Sequence, residues 1–144
     1  MTDPLAPALR PYVLDDQVGY ILRRATQRHL AIFAQAIPEV TTTQFAVLAR
    51  LCAEGPMSQN RLGRSVALDA ATVKGVVDRL RKQGLVDRQT DPEDRRRLTV
   101  AVTGAGRALF DRRWSDALAV SDRSLEPLTP PERALFLALL ARLG

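Results

Sequence analysis

Apolar residues return at helical intervals along most of this chain and change to strict alternation in one short stretch. Val18, Leu22, Ala25, His29, Ile32 and Ala36 recur every three or four positions, so residues 14–37 read as a long helix. Asp15 and Asp16 suit its positive N-terminal end, and Pro38 stops it. Thr41-x-x-Gln44 is a capping-box pattern that opens a second helix, closed at Gly55. Ser58 caps a short third helix. Asp69 caps a fourth, over 69–83, with Val73, Val76, Val77 and Leu80 along one side and Gly84 as its stop. The period then shortens: Leu98, Val100 and Val102 alternate with Arg97, Thr99 and Ala101, as in a half-buried strand. Asp91-Pro92-Glu93-Asp94 carries turn chemistry just before it, so Arg95, Arg96 and Arg97 ride the tip of a β-hairpin. A long helix follows Thr103-Gly104, with Phe110, Trp114, Ala117 and Ser121 in a stripe. Thr129-Pro130-Pro131-Glu132 then combines a capping box with proline at the first helical position of a last helix.

The order is long helix, three shorter helices, hairpin, two helices. Two short helices joined by the tight turn "SVALD" and followed by a β-ribbon describe a winged helix-turn-helix, in a chain that is mainly α with a small β-wing. At 144 residues it is expected to form a single domain.

Charge sharpens this picture. The net charge is +5, and residues 56–103 hold 10 Lys/Arg against 6 Asp/Glu, whereas the rest holds 11 against 10. A basic block within a near-neutral chain suggests a polyanionic partner. Other chemistry is scarce. One histidine, one cysteine, no glycine-rich phosphate loop and no metal-ligand cluster argue against an enzyme and against a bound cofactor. A single cysteine cannot form an internal disulfide. The opening residues lack the build of a signal peptide, and no apolar run approaches membrane-spanning length, so the expected location is the cytoplasm, away from membranes.

The run from Met57 to Phe110 resembles the MarR family of bacterial transcriptional regulators, most clearly in "VVDRLRKQGLVDR", "DPEDRRR" and "VTGAGRALF". The front end, "LDDQVGYILRRATQRH", is similar to the branch that represses aromatic-acid catabolism of the nicotinate, benzoate or hydroxycinnamate type. The resemblance implies a homodimer held by helices at 14–37 and 104–143. It implies a winged helix-turn-helix over 41–103 that reads double-stranded DNA at a pseudo-palindromic operator. The fourth helix would enter the major groove and the wing the flanking minor groove, where a guanidinium matches the negative potential.

On that reading Ala70, Ala71, Thr72 and Lys74 face base edges, with Gly75 beside them. Gly75 costs about 1 kcal/mol relative to alanine inside a helix and needs a reason, such as close approach to DNA or to the next helix. The family's wing motif, Asp-x-Arg with the acid orienting the base, falls on Asp94 and Arg96, flanked by Arg95 and Arg97. These flanking arginines would be phosphate contacts or partners of Asp91 and Glu93. Ser58, Gln59 and Arg64 are further phosphate-contact candidates. The family's pocket suggests that a small aromatic carboxylate or its coenzyme A thioester binds between the helices. His29 and Arg23 or Arg24 would take the acid, and Phe33, Phe45 and Trp114 would wall the ring. Each of these aromatics, and His29, equally suits plain core packing. Two rival readings stand beside this: a thiol-gated regulator working through Cys52, and a winged helix that binds protein instead of DNA.

Overall fold

The structure, a computed structural model, describes residues 10–144; the first nine residues of the Pro-containing arm lie outside them. Leu14–Asp16 form a single 3-10 turn. The first helix, α1, runs Val18–Ala36, followed by α2 (Thr42–Glu54), α3 (Gln59–Ser65) and α4 (Ala70–Lys82). Strands β1 (Val86–Thr90) and β2 (Leu98–Val102) form the hairpin, and α5 (Gly104–Ser124) and α6 (Pro130–Ala141) complete the chain. The expected 14–37 helix is thus broken at Gln17, whose extended backbone separates the acidic turn from α1. Asp15 and Asp16 therefore sit one turn before the helix rather than in its first turn.

The caps fall where the sequence places them. Thr41 accepts from the Gln44 N–H while the Gln44 side chain accepts from the Thr41 N–H, and Thr129 and Glu132 repeat the arrangement at α6. Ser58, Asp69 and Thr103 each accept a backbone N–H three residues on, at 3.2, 2.7 and 3.1 Å. Each cap satisfies one of a helix's orphan donors, which fixes where the helix starts.

The buried core lies under the helix-turn-helix. Leu48 and Leu51 of α2, Leu62 of α3, Val73, Val77 and Leu80 of α4, and Val86 and Val100 of the hairpin are almost wholly shielded from solvent. Helices α3 and α4 cross closely because Gly63 has no side chain. A Cβ there would stand 3.1 Å from both the Leu68 carbonyl and a Val73 methyl. Their turn is tightened by Ala67, held at φ 58°, a left-handed conformation that costs a non-glycine residue roughly 1 kcal/mol. A hydrogen bond from Leu68 N–H to the Gly63 carbonyl, 2.8 Å, closes the same turn.

The hairpin pairs Val86 with Val102 and Thr90 with Leu98. Met57 adds a one-residue bridge to Val100, donating and accepting backbone bonds of 3.2 and 2.8 Å. The alternation expected of β2 is only partly kept. Val100 is buried, but so is Ala101, and Leu98 is exposed near the tip. Hairpin twist, together with α5 packing behind β2, closes both faces at the base and neither at the tip.

Burial along α1 is also uneven. Ile32 and Phe33 at its C-terminal end join the core, whereas Val18, Ile21 and Leu22 are exposed. Helix α6 buries nothing, and Leu135, Phe136, Leu137, Leu139 and Leu140 all face solvent in the single chain.

Gly106, in the first turn of α5, is the tightest contact. A Cβ there would overlap the Leu85 carbonyl and press a methyl of Val102 at 2.7 Å. Gly106→Ala should therefore lower the thermal midpoint by several degrees, from overpacking of about 1–3 kcal/mol. Gly75→Ala, where a Cβ meets nothing within 4 Å, should raise stability by up to about 1 kcal/mol. Thermal unfolding followed by circular dichroism separates the two.

Candidate nucleic-acid interface and aromatic cavity

Helix α4 turns its valines and Leu80 inward, which leaves Ala70, Ala71, Thr72 and Lys74 exposed on its N-terminal half. Gly75 lies among them with open space above it, so no neighbouring helix accounts for it. The strip is poor in side chains. Its one cation, Lys74, is drawn along the helix to Asp78, with Nζ to Oδ2 at 3.1 Å. That hydrogen bond, ahead of the nearby positive charges, holds the Asp78 carboxyl below its ordinary range. Asp78 also lies 3.5 Å from Arg88 of β1, whose guanidinium donates to the Gln59 side chain at 3.4 Å. Asp78 and Arg88 thereby tie α4, α3 and the wing together. Sequence reading missed both Asp78 and Arg88, because a helix residue and a strand residue ten positions apart share no periodic signal.

Asp69 donates nothing and accepts the Thr72 N–H, which lowers its carboxyl from the usual value. A depressed carboxyl contributes stability above its unfolded pKa and loses it as pH falls through the folded one, so α4 keeps this cap at neutral pH. Ser58 likewise spends its side-chain oxygen on the Arg61 N–H at the start of α3, and Arg64 is exposed on the last turn of that helix.

The wing tip is set by its acids. Asp91 accepts the Glu93 N–H at 2.9 Å and Asp94 accepts the Arg96 N–H at 3.0 Å. Asp94 thus meets Arg96 at its backbone N–H. Arg95, Arg96 and Arg97 are all exposed, and none takes part in an ion pair among the described residues; Asp91 and Glu93 do not neutralise them. Three free guanidinium groups stand together at one end of the molecule.

Farther back, Phe33, Phe45 and Phe110 form a row across α1, α2 and α5. Ring centroids lie 5.9 Å apart at 66°, then 5.5 Å apart at 30°. Beside the row, Phe45, Phe110, Trp114, Ala117, Leu118, Asp111 and Ser121 line an open cavity of about 570 Å³, a size suited to a small aromatic molecule. Trp114 is 50% exposed rather than packed in the core. Phe33 lines a separate cavity at the junction of α1 and α2.

The remaining expected effector residues are not gathered there. His29 faces Ser124, with Nδ1 to Oγ at 2.8 Å, and its neighbour Arg28 donates to the carbonyls of Ser124 and Arg123 at 2.8 and 2.9 Å. Together they fasten α1 to the C-terminal end of α5. Arg23 and Arg24 are exposed on α1, the latter over the Tyr20 ring at 5.9 Å. Cys52 is half-buried near the end of α2, where burial pushes its thiol up and away from the reactive thiolate. Among the described residues no group of histidine, cysteine or carboxylate side chains is arranged to hold a metal, and no helix is long and apolar enough to cross a membrane.

Comparison with known proteins gives this geometry its relatives. Residues 40–98 match the MarR family model. The transcriptional repressor NicR of Pseudomonas putida is 42% identical over 135 residues, 92% of this chain and 85% of NicR. The chain belongs to the MarR family. Among solved structures, a probable transcriptional regulator from Pseudomonas aeruginosa superposes with a TM-score of 0.88. It is 49% identical, over 92% of this chain and all of that one. BpsR of Bordetella bronchiseptica, whose DNA binding is regulated by 6-hydroxynicotinic acid, gives 0.87 at 40% identity, over 93% and 97% of the two chains. The winged helix-turn-helix is therefore a MarR fold.

Arg96→Ala tests the wing tip directly. A hairpin-tip side chain packs against little, so thermal unfolding should be unchanged. Operator affinity should fall, and the log–log salt slope should flatten by roughly one unit. Equal affinities for variant and wild type at two salt concentrations would return the arginine to a solvated turn.

Proposed function

We propose that the protein is a ligand-responsive transcriptional repressor of aromatic-acid catabolism genes, released from its operator by a small aromatic acid or its coenzyme A thioester. The observation that carries this reading is the coexistence of an unpaired arginine wing and an aromatic-walled cavity in one MarR chain 42% identical to a repressor. Residues 1–144 act as one unit, with 41–103 reading DNA and the helices at 14–37 and 104–143 joining two protomers. Ala70, Ala71 and Thr72 face the major groove, with methyl groups suited to thymine and one hydroxyl for a base edge. Lys74 exchanges Asp78 for DNA. Ser58, Gln59 and Arg64 lie toward phosphates, and Arg95, Arg96 and Arg97 carry the wing into the minor groove.

The exposed leucines of α6 and the apolar start of α1 support the dimer. A contiguous apolar face of this kind is rare on a monomer, and a two-fold axis covers it twice. In the cavity the ring lies against Phe45, Phe110 and Trp114, with Phe33 buttressing Phe45. The lining supplies Asp111 and Ser121 as polar groups but no cation. Arg23 or Arg24 must therefore reach the carboxylate from outside this cavity's own wall, and His29 acts by fastening α1 to α5.

Two outcomes are expected. Light scattering at micromolar concentration should give a dimer, and footprinting should protect two half-sites centred about one helical turn apart; a monomer with intact operator binding would refute this. A panel of 6-hydroxynicotinate, benzoate and 4-hydroxycinnamate, with their coenzyme A thioesters, should contain a compound that releases labelled operator. Phe45→Ala and Arg23→Ala should blunt that release while sparing operator affinity. Release by peroxide, abolished in Cys52→Ser, would instead favour the thiol-gated reading.

A further inference from the structure

Glu39, in the short connection between α1 and α2, holds two parts of the molecule at once. Its carboxylate takes the Arg113 guanidinium in bidentate fashion, with both N–O distances 2.9 Å, and Arg112 stands 3.7 Å away. Arg113 spends its remaining nitrogen on Asp116 at 3.0 Å. The backbone carbonyl of the same Glu39 accepts the Gln83 side-chain amide at 3.1 Å, and Gln83 is the C-cap residue of the recognition helix α4. A continuous polar path therefore runs from α5 through Glu39 to the end of α4.

Position makes this path more than a surface ion pair. Arg113 directly precedes Trp114 and follows Phe110 by one turn, so any shift of that segment of α5 against a ligand in the cavity displaces the guanidinium. The Glu39 backbone cannot yield locally, because Pro38 fixes one φ angle and Ile37 and Val40 on either side are buried. Helix α4 itself packs mainly on α2, α3 and β1. The side chains of Glu39 and Arg113 are only 30% and 27% exposed, and the Arg113 hydrogen bond holds the carboxyl below its ordinary range. A fork-to-fork pair of this kind transmits orientation as well as charge.

We propose that Glu39 is the positioning residue through which occupancy of the aromatic cavity moves the recognition helix. The proposal rests on the reading of that cavity as the effector site. Glu39 lies outside the lining of the aromatic cavity and off the exposed strip of α4, so its role lies in the coupling between ligand and DNA, the factor by which each weakens the other's binding.

The experiment uses the full-length dimer, with Trp114, the chain's only tryptophan, as a built-in reporter of cavity occupancy. Operator affinity is measured with and without saturating 6-hydroxynicotinate, benzoate or 4-hydroxycinnamate and their coenzyme A thioesters, and Trp114 quenching gives ligand affinity separately. In wild type the two operator affinities should differ by a factor on the order of 5–150. In Glu39→Gln both single affinities should stay within about threefold of wild type while that factor falls toward one. The exchanged pair Glu39→Arg with Arg113→Glu should restore it. Gln83→Ala, exposed at the helix end, gives the same readout if Glu39→Gln fails to fold. Wild-type coupling in a folded Glu39→Gln or Gln83→Ala, with ligand still quenching Trp114, overturns the strut and leaves the effector reading standing. A wild-type protein whose operator binding and Trp114 emission ignore every compound overturns both.

Discussion

The fold hinges on a single close approach at the base of the wing. Thr103 donates its hydroxyl to the Gly84 carbonyl at 2.7 Å and its N–H to the Leu85 carbonyl at 3.0 Å, while its oxygen caps α5 through the Gly106 N–H. The end of α4, both feet of the hairpin and the start of α5 are thereby tied within one turn of chain. Gly106 makes the knot possible, since any side chain would occupy the Leu85 carbonyl's place. Because α5 leaves from this knot, the direction of the long helix and the placement of α4 are fixed relative to each other. That geometric relation is what a DNA-reading dimer has to control.

Five carboxylates are committed to structure, and they explain where much of the positive charge goes. Asp69 caps α4, Asp78 bridges α4 to the wing, Asp91 and Asp94 shape the wing tip, and Glu39 holds Arg113. The wing acids act on backbone N–H groups, so they build the turn without neutralising the arginines it displays. An acid that bonds backbone leaves a guanidinium free for phosphate, whereas one that bonds a side chain consumes it. Lys74 and the wing arginines fall on opposite sides of this division, so the wing supplies the stronger standing attraction for a polyanion.

Stability is divided just as unevenly. The helix-turn-helix and wing hold almost all of the deeply buried aliphatic residues, while α6 and the first half of α1 are apolar without being covered. The aromatic row sits at the seam between these regions, joined to α5 by Phe110 and to α1 by Phe33. A cavity at such a seam is well placed to sense how the two regions are arranged. It is shaped by both yet belongs to the core of neither, and Glu39 spans the same seam from the other side.

The sequence by itself determined the helices and the starts of all but the first, because capping and amphipathic period are short-range effects: a threonine and a glutamine three residues apart, or valines on one side of a turn, act before the chain folds. It also determined the winged order and the arginine tip, and its motifs resembled the MarR family closely enough to be recognised. Tertiary structure alone decided which side chains meet. It broke the expected first helix at Gln17, buried Ala101, left Trp114 half in solvent, and set His29 against Ser124 instead of in the cavity. It alone brought Glu39 to Arg113 and Gln83, and Asp78 to Arg88. No local pattern marks these pairs, since residues tens of positions apart become neighbours only when helices pack, and a contact between them is a property of that packing.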